Sequence, residues 1–180
     1  MPVKVSVGLL LMAGLFFSAI TMAMPAKNDE AGSLINERLS YMQDVAGYKA
    51  NNHLAIEDLP QEAKVLESAV VQAEQLGLDG ESVKPFIQAQ MDVAKAIQYR
   101  YRADWLSVPL QDWQPEPLEQ VRSKISVLST AILSSISSKL KTGSQFTDKS
   151  AFMSEFNQEH LKNSDKELLW DSLRSITLKN

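Results

Sequence analysis

Apolar residues recur at three- and four-residue intervals along nearly the whole chain, and no segment alternates apolar and polar residues for long. This spacing is typical of amphipathic helices and not of strands. It predicts a fold class that is all-α: a single helical-bundle domain with three long helices plus shorter C-terminal helices. Glycines and the proline-rich connector VPLQDWQPEP mark several helix ends. The predicted helices cover residues 30–52, 59–76, 81–106, 117–141, 148–158 and 164–177.

The first residues carry the pattern of an export signal. Lys4 precedes the apolar run VGLLLMAGLFFSAI, about 14 residues long, whereas a membrane span needs about 20. Small residues at Thr21 and Ala23 form a cleavage site, with Ala26 as the second choice. We therefore predict a signal peptide at 1–23 and the helical domain at 24–180, with an uncleaved anchor as the alternative. The predicted location is periplasmic or secreted, with no membrane attachment after cleavage.

Composition argues against several classes of function. The chain has no cysteine, so its stability must come from packing and not from disulfides. Its net charge of −4 and the lack of a basic run argue against nucleic-acid binding. His53 and His160 are far apart in the sequence and do not form a metal-binding pattern. A glycine-rich phosphate loop and a G-x-S-x-G elbow are also absent from the sequence, so most of the usual enzyme signatures are missing.

Two cations lie on the apolar face of the first predicted helix. Arg38 and Lys49 are eleven residues apart, which is almost three whole turns, so they share a face. Leu34, Met42 and Val45 fall within roughly 40° of Arg38 on that face. Burying an unpaired charge is costly, so we expect something anionic to meet these cations.

The next two predicted helices add polar groups to the same interior. Gln98 lies on the apolar face of its helix, and Glu62 lies at the edge of the apolar stripe of another. Together with the two cations they predict one pocket for a small, multiply anionic ligand. Each residue alone also has a structural explanation. A single cation can reach the surface, Gln98 can be a core amide, and Asp58 with Gln61 can form a capping box.

Three runs, ERLSYMQDVAGYK, IED and AKAIQYRYRADW, resemble the secreted subclass of the all-helical chorismate mutases. The resemblance covers most of the chain after the signal peptide and is strongest over residues 34–106. It rests on spacing: Arg38, then Lys49 eleven residues later, Asp58 nine later and Gln98 forty later. It implies conversion of the dianion chorismate to prephenate, without a cofactor, in an all-helical fold that is usually a homodimer.

The resemblance also implies a role for each matching position. Arg38 would bind a substrate carboxylate, while Lys49 and Gln98 would donate hydrogen bonds to the ether oxygen, and these three would be the catalytic residues. Asp58 and Glu62 would hold the ring hydroxyl and the local backbone.

Arg122 matches an additional arginine that the secreted subclass supplies from its C-terminal half. Two positions depart from the family pattern: Gln61 replaces a usual arginine, and Ala94 replaces a frequent Ser or Thr. A charge-assisted hydrogen bond is worth about 1.5–3 kcal/mol, so losing the arginine should weaken binding or catalysis roughly ten- to a hundredfold. Gln61 can still donate a neutral bond, and Lys64 is nearby. The predicted substrate-binding residues are Arg38, Lys49, Asp58, Gln61, Glu62, Ala94, Gln98 and Arg122.

Two other functions stay open from the sequence. One is an exported helical anion-binding protein of the same fold with weak or no turnover, in which Gln61 marks the lost activity. The other is a structural or partner-binding bundle in which Arg38 and Lys49 are salt-bridged core residues. The enzyme hypothesis predicts activity that varies little between about pH 5 and 8, because Gln98 donates at any pH and Lys49 beside a dianion stays charged.

Overall fold

The computed structural model describes residues 30–110 and 112–180. The predicted signal peptide, 1–23, lies outside the described residues. The all-α prediction is confirmed, because the one β feature in the described part of the chain is an isolated antiparallel bridge between Leu78 and Leu178. In this part, no helix combines the length and apolar character needed to span a membrane. The described residues form α1 (Glu30–Ser40), α2 (Met42–Asn51), α3 (Leu59–Gln75), α4 (Gly80–Ser107), α5 (Leu118–Lys141), α6 (Lys149–Ser154) and α7 (Asn163–Leu173).

The predicted helix at 30–52 is two helices, with Tyr41 between α1 and α2. Tyr41 keeps right-handed helical angles, with φ −79° and ψ −3°, and its carbonyl accepts the Val45 N–H at 3.1 Å. The helical path is therefore interrupted for a single residue. As a result, Arg38 and Lys49 lie on separate helices, and their common direction is set by tertiary packing as well as by helical period.

The two C-terminal helices are shorter than predicted, since α6 ends at Ser154 and α7 at Leu173. After α7 the chain pairs with the segment that follows α3. The Asp79 N–H donates to the Thr177 carbonyl, and the Lys179 N–H donates to the Gly77 carbonyl, each at 2.9 Å. These tertiary hydrogen bonds replace helical ones over the last residues, although the apolar spacing there is helical.

The core is built around α4, which packs against α2, α3 and α7, while α5 packs against α1, α2 and α3. Ile35 of α1, Phe86 and Ile97 of α4, Ile132 of α5 and Leu169 of α7 are almost completely buried in it. Truncating such a side chain to alanine typically costs about 2–5 kcal/mol. The first five helices therefore meet along one apolar interior.

The connector between α4 and α5 packs on α2 at Gly47. A Cβ atom at Gly47 would lie 2.4 Å from the ring of Trp113 and 3.3 Å from Pro115, so the close approach requires glycine. The Glu116 N–H donates to Asp44 Oδ1 at 2.9 Å, which ties the end of the connector to the same helix. These contacts fix where α5 begins and, with it, the residues that α5 presents to the interior.

Candidate active site

A cavity of about 140 Å³, which we call the inner cavity, lies between the first five helices. No histidine is among the described residues that line it. The structure brings all eight predicted substrate-binding residues to its wall, together with apolar side chains such as Met42, Met91 and Ile125. Those eight residues are Arg38, Lys49, Asp58, Gln61, Glu62, Ala94, Gln98 and Arg122.

A second cavity of about 350 Å³, which we call the outer chamber, adjoins the inner cavity. Arg38, Gln61, Val65, Arg122 and Ile125 line both. The remaining wall of the outer chamber is formed by residues of α3, α4 and α5, namely Lys64, Ser68, Ala69, Gln72, Ile87, Gln90, Ser126, Ser129 and Thr130.

Arg38 is buried at the junction of the two cavities, with 7 % of its surface exposed. Its Nε donates to Ser129 Oγ at 3.3 Å, and its Nη1 is buried without a hydrogen-bond partner among the described residues. Burial lowers the pKa of Arg38 to about 10, so the guanidinium is still charged at neutral pH. A buried cation with an unused N–H group is well suited to an anionic ligand.

Lys49 is equally buried, and its Nζ donates to the Ile56 carbonyl at 2.6 Å. Desolvation lowers the pKa of this lysine, and the nearby Asp58 carboxylate opposes that shift. Neither Lys49 nor Arg38 forms an ion pair with any residue that the structure describes. The anionic partner expected from the sequence is therefore not supplied to either cation by the described side chains.

Gln98 is 5 % exposed and presents a partly satisfied amide. Its Nε2 donates to the Ala94 carbonyl at 3.1 Å and to Met42 Sδ at 3.7 Å, while its Oε1 is buried without a partner among the described residues. Both N–H groups of Nε2 are thus engaged, but a thioether sulfur is a weak acceptor, so a ligand in the inner cavity can replace Met42 as the acceptor of one of them.

Two carboxylates join the start of α3 to its neighbours. Asp58 caps α3, since its Oδ1 accepts the Gln61 N–H at 3.3 Å, and its Oδ2 accepts from Arg122 Nη2 at 3.1 Å. Glu62 Oε1 accepts the Asp58 N–H at 3.2 Å, and Oε2 pairs with Lys95 Nζ at 2.9 Å. The expected capping box therefore needs correction. The side chain that accepts a hydrogen bond from the Asp58 backbone N–H is that of Glu62 and not that of Gln61.

Sequence reasoning missed two residues of this site. Lys95 lines the inner cavity beside Glu62, and Ser129 bonds Arg38 from α5. A signal for Ser129 exists in the sequence, because it lies seven residues after Arg122, which is close to two helical turns. Lys95 directly follows Ala94 and had no comparable signal, because its role depends on where α3 begins relative to α4.

The fold and the two cavities define a class: an all-helical protein with adjoining interior cavities that are lined by buried and charged side chains. The chain belongs to the chorismate mutase family, as the resemblance predicted. The family model described as Chorismate mutase type II matches residues 26–99. The chain is 51% identical over 176 residues to a secreted chorismate mutase of Yersinia pestis, covering 96% of this chain and 94% of that one. It is 44% identical over 171 residues to a monofunctional chorismate mutase of Enterobacter agglomerans, covering 90% and 94%.

Solved structures agree with this assignment. The crystal structure of the secreted chorismate mutase from Yersinia pestis matches with a TM-score of 0.82 at 53% identity, covering 85% of this chain and 100% of that chain. The chorismate mutase from Burkholderia thailandensis matches with a TM-score of 0.68 at 18% identity, covering 82% and 97%. The second likeness supports the fold alone.

Proposed function

We propose that this protein is an exported chorismate mutase, which converts chorismate to prephenate by an intramolecular rearrangement. Two relatives, at 51% and 44% identity over nearly the whole chain, carry the name chorismate mutase. The observation that carries the proposal is the inner cavity itself. There Arg38, Lys49 and Gln98 are buried in the wall of one cavity, Nη1 of Arg38 has no partner, and Arg38 and Lys49 form no ion pair among the described residues.

The reaction breaks one C–O bond and forms one C–C bond within a single molecule, and no proton needs to move. A general base or nucleophile is therefore unnecessary, and the two carboxylates of the cavity, Asp58 and Glu62, are already paired with Arg122 and Lys95. What the site must do is hold the substrate folded with its reacting carbons close together. Arg38 and Arg122 are placed to bind the two carboxylates that fix this conformation.

Negative charge builds up on the ether oxygen as the C–O bond breaks. Donors that are fixed in advance toward this oxygen bind the transition state more tightly than the ground state, each by about 3–4 kcal/mol. Lys49 and Gln98 fit this role because backbone carbonyls hold both of them: Ile56 accepts from Lys49, and Ala94 accepts from Gln98. Little reorganisation is then needed when the reaction occurs.

The remaining predicted residues complete the binding of substrate. Asp58 and Glu62 already accept bonds from neighbouring residues, but each carboxylate oxygen can accept a second bond from the ring hydroxyl. Gln61 offers a neutral donor where an arginine would offer a charged one. Ala94 contributes only a methyl group to the wall.

The direct test is the rate of chorismate disappearance catalysed by the purified protein, measured beside Lys49→Ala and Gln61→Arg. We expect the wild type to turn over and Lys49→Ala to lose most activity, with little change in melting temperature. A wild type that binds a dianionic transition-state mimic but turns over only after Gln61→Arg would identify the protein as an anion-binding relative. Inactivity and lack of binding in all three would contradict the proposal.

Export is the second part of the proposed function. It is supported by the predicted signal peptide and by the word secreted in the name of the Yersinia pestis relative. Fractionation of cells that express the full chain should recover a shortened protein outside the cytoplasm. A full-length protein that stays with the membrane would indicate an uncleaved anchor instead.

We also propose that the protein is a homodimer. In support, Leu106 near the end of α4 and Val108 and Leu110 just after it are exposed apolar residues, and Leu106 is 88% exposed. Burial of such side chains is a common basis of subunit association. Light scattering should show a dimer that Leu106→Glu weakens. Val127→Glu is the matched control because Val127 is exposed but lies on α5, so a dimer that is disrupted equally by both changes, or by neither, would contradict this interface.

A further inference from the structure

The outer chamber has the lining of an anion site, and two of its residues, Lys64 and Gln90, have no role in the function proposed so far. Three cations, Arg38, Lys64 and Arg122, line it. Among the described residues of its wall there is no aspartate or glutamate, whereas the inner cavity contains both. The chamber is also more than twice as large as the inner cavity, at about 350 against about 140 Å³. Its electrostatic environment therefore favours a negative group more strongly than the inner cavity does.

Gln90 provides an independent observation at the same place. It is only 4% exposed, its Oε1 is buried without a partner, and its side chain forms no hydrogen bond with any described residue. Buried amides normally have partners, because leaving them unpaired destabilises the folded state. A side chain that lines a cavity and lacks partners is positioned for a ligand that enters the cavity.

Lys64 supplies a cation with no ion pair among the described residues. It follows Gln61 by three residues on α3, so the two lie on the same side of that helix and both line the chamber. A lysine ammonium on a flexible stem can move toward a carboxylate that occupies the chamber.

The two cavities are connected along α4. Gln90, Ala94 and Gln98 follow at four-residue spacing, so they form a row about 12 Å long on one side of the helix. Gln90 lines the outer chamber, and Ala94 and Gln98 line the inner cavity. A single ligand can therefore contact Gln98 with one part and Gln90 with another.

We propose that the outer chamber is a carboxylate subsite, in which Lys64 and Gln90 join Arg122 in binding one carboxylate of a dianionic substrate while Arg38, at the junction of the two cavities, binds the other. This inference rests on the proposed function, since it assigns one end of the same substrate. It makes Lys64 and Gln90 specificity residues that select a dicarboxylate over a monocarboxylate.

The test is a cycle of protein and ligand changes. The ligands are a bicyclic ether dicarboxylate that mimics the transition state and its two monocarboxylate analogues, with affinities measured by calorimetry. We expect Lys64→Met to weaken dicarboxylate binding about fivefold and Gln90→Leu about tenfold or more. One of the two monocarboxylates, the one that lacks the group in the chamber, should bind all variants equally. Lys64→Arg should restore most of the affinity.

Lys141→Met is the matched control, because it removes the same charge from an exposed position outside both cavities. Gln90→Leu has a second signature: it removes an unpaired buried amide, so it should raise the melting temperature while it weakens binding. A structural role alone would not produce opposite effects on stability and affinity. In turnover, both variants should raise KM with little change in kcat.

The outcomes separate this inference from the proposed function. If the wild type turns over chorismate but Lys64→Met and Gln90→Leu bind the dicarboxylate as tightly as the control does, the subsite is wrong and the mutase activity stands. If no turnover is seen, dicarboxylate affinity still tests the subsite directly. Equal weakening of the dicarboxylate and both monocarboxylates would also overturn the inference, because it would indicate a general loss of the site.

Discussion

The hydroxyl oxygen of Ser129 lies 3.3 Å from Nε of Arg38, and no other side chain in the described part of the chain bonds this guanidinium. Ser129 in turn donates to the Ile125 carbonyl at 2.8 Å, one turn earlier in α5. The Ser129 hydroxyl thus donates a hydrogen bond within α5 and accepts one from Arg38 of α1. In this way α5 sets the direction in which Arg38 presents its remaining N–H groups to the cavities.

We expect Ser129→Ala to lower kcat/KM for chorismate roughly tenfold, because a hydrogen bond to a charged group contributes about 1.5–3 kcal/mol. Ser129→Thr keeps the hydroxyl and should retain most activity. Steady-state kinetics of the three proteins measure this effect.

Ser123→Ala is the control for this prediction. The Ser123 hydroxyl makes the same kind of bond, to the Glu119 carbonyl one turn earlier at 2.9 Å, but does not contact Arg38. The two alanine substitutions therefore change α5 in the same local way. Equal losses of activity in both variants would show that Ser129 acts through the helix and not through Arg38.

Arg38 should lower the stability of the protein in the absence of ligand. It is buried without an ion pair among the described residues, and its pKa falls to about 10 because burial disfavours the charged form. Arg38→Met should therefore raise the free energy of unfolding by about 1–3 kcal/mol. It should also abolish turnover, because it removes the cation proposed to bind a substrate carboxylate. Chemical denaturation measures the change.

Arg174→Met is the comparison for this stability prediction, since it removes the same charge from an exposed position. We expect it to leave stability nearly unchanged. If Arg38→Met were instead markedly less stable than the wild type, the guanidinium would be a structural element of the core. It would then not be a ligand-binding group that lowers the stability of the ligand-free protein.

Helical period in the sequence predicted the helices and placed Arg38, Lys49 and Gln98 on interior faces, since burial along one helix repeats every three or four residues. The period did not predict the break at Tyr41, where two short helices replace one. It also did not predict that Ser129 meets Arg38. That contact depends on how α5 is aligned against α1, and local sequence does not encode such an alignment.

The packing of Trp113 on Gly47 helps to set this alignment. Gly→Ala in an ordinary helix stabilises a protein by about 0.5–1 kcal/mol. At Gly47 the added Cβ would lie 2.4 Å from the Trp113 ring, so we expect Gly47→Ala to destabilise by about 1–3 kcal/mol. The same change made together with Trp113→Leu should cost clearly less. Additive losses in the two backgrounds would show that the ring is not what excludes the methyl group.

The pH dependence of the wild type should follow Lys49. Burial lowers the pKa of this lysine, so the free protein loses the ammonium charge at a lower pH than an exposed lysine would. We expect kcat/KM to be nearly constant between about pH 5 and 8 and to fall on the alkaline side, below the usual lysine range. The fall in kcat should come at higher pH, because a bound dianion favours the charged form. A steep loss of rate between pH 5 and 7 in the wild type would contradict the assignment of Lys49 and Gln98.

Gln98→Glu should introduce the pH dependence that the wild type lacks. An amide donates a hydrogen bond at any pH, whereas a carboxyl group donates only when it is protonated. Its buried position should raise the pKa of the new carboxyl group, while the Lys49 ammonium, which lines the same cavity, opposes that shift. We therefore expect a variant that is active at low pH and loses rate as pH rises through the pKa of this group, by roughly a hundredfold or more if the donor contributes as other preorganised donors do. Matched pH–rate profiles of the two proteins measure this difference. If Gln98→Glu keeps a flat profile, residue 98 does not donate to the ether oxygen, and Lys49 alone would have to stabilise the developing charge.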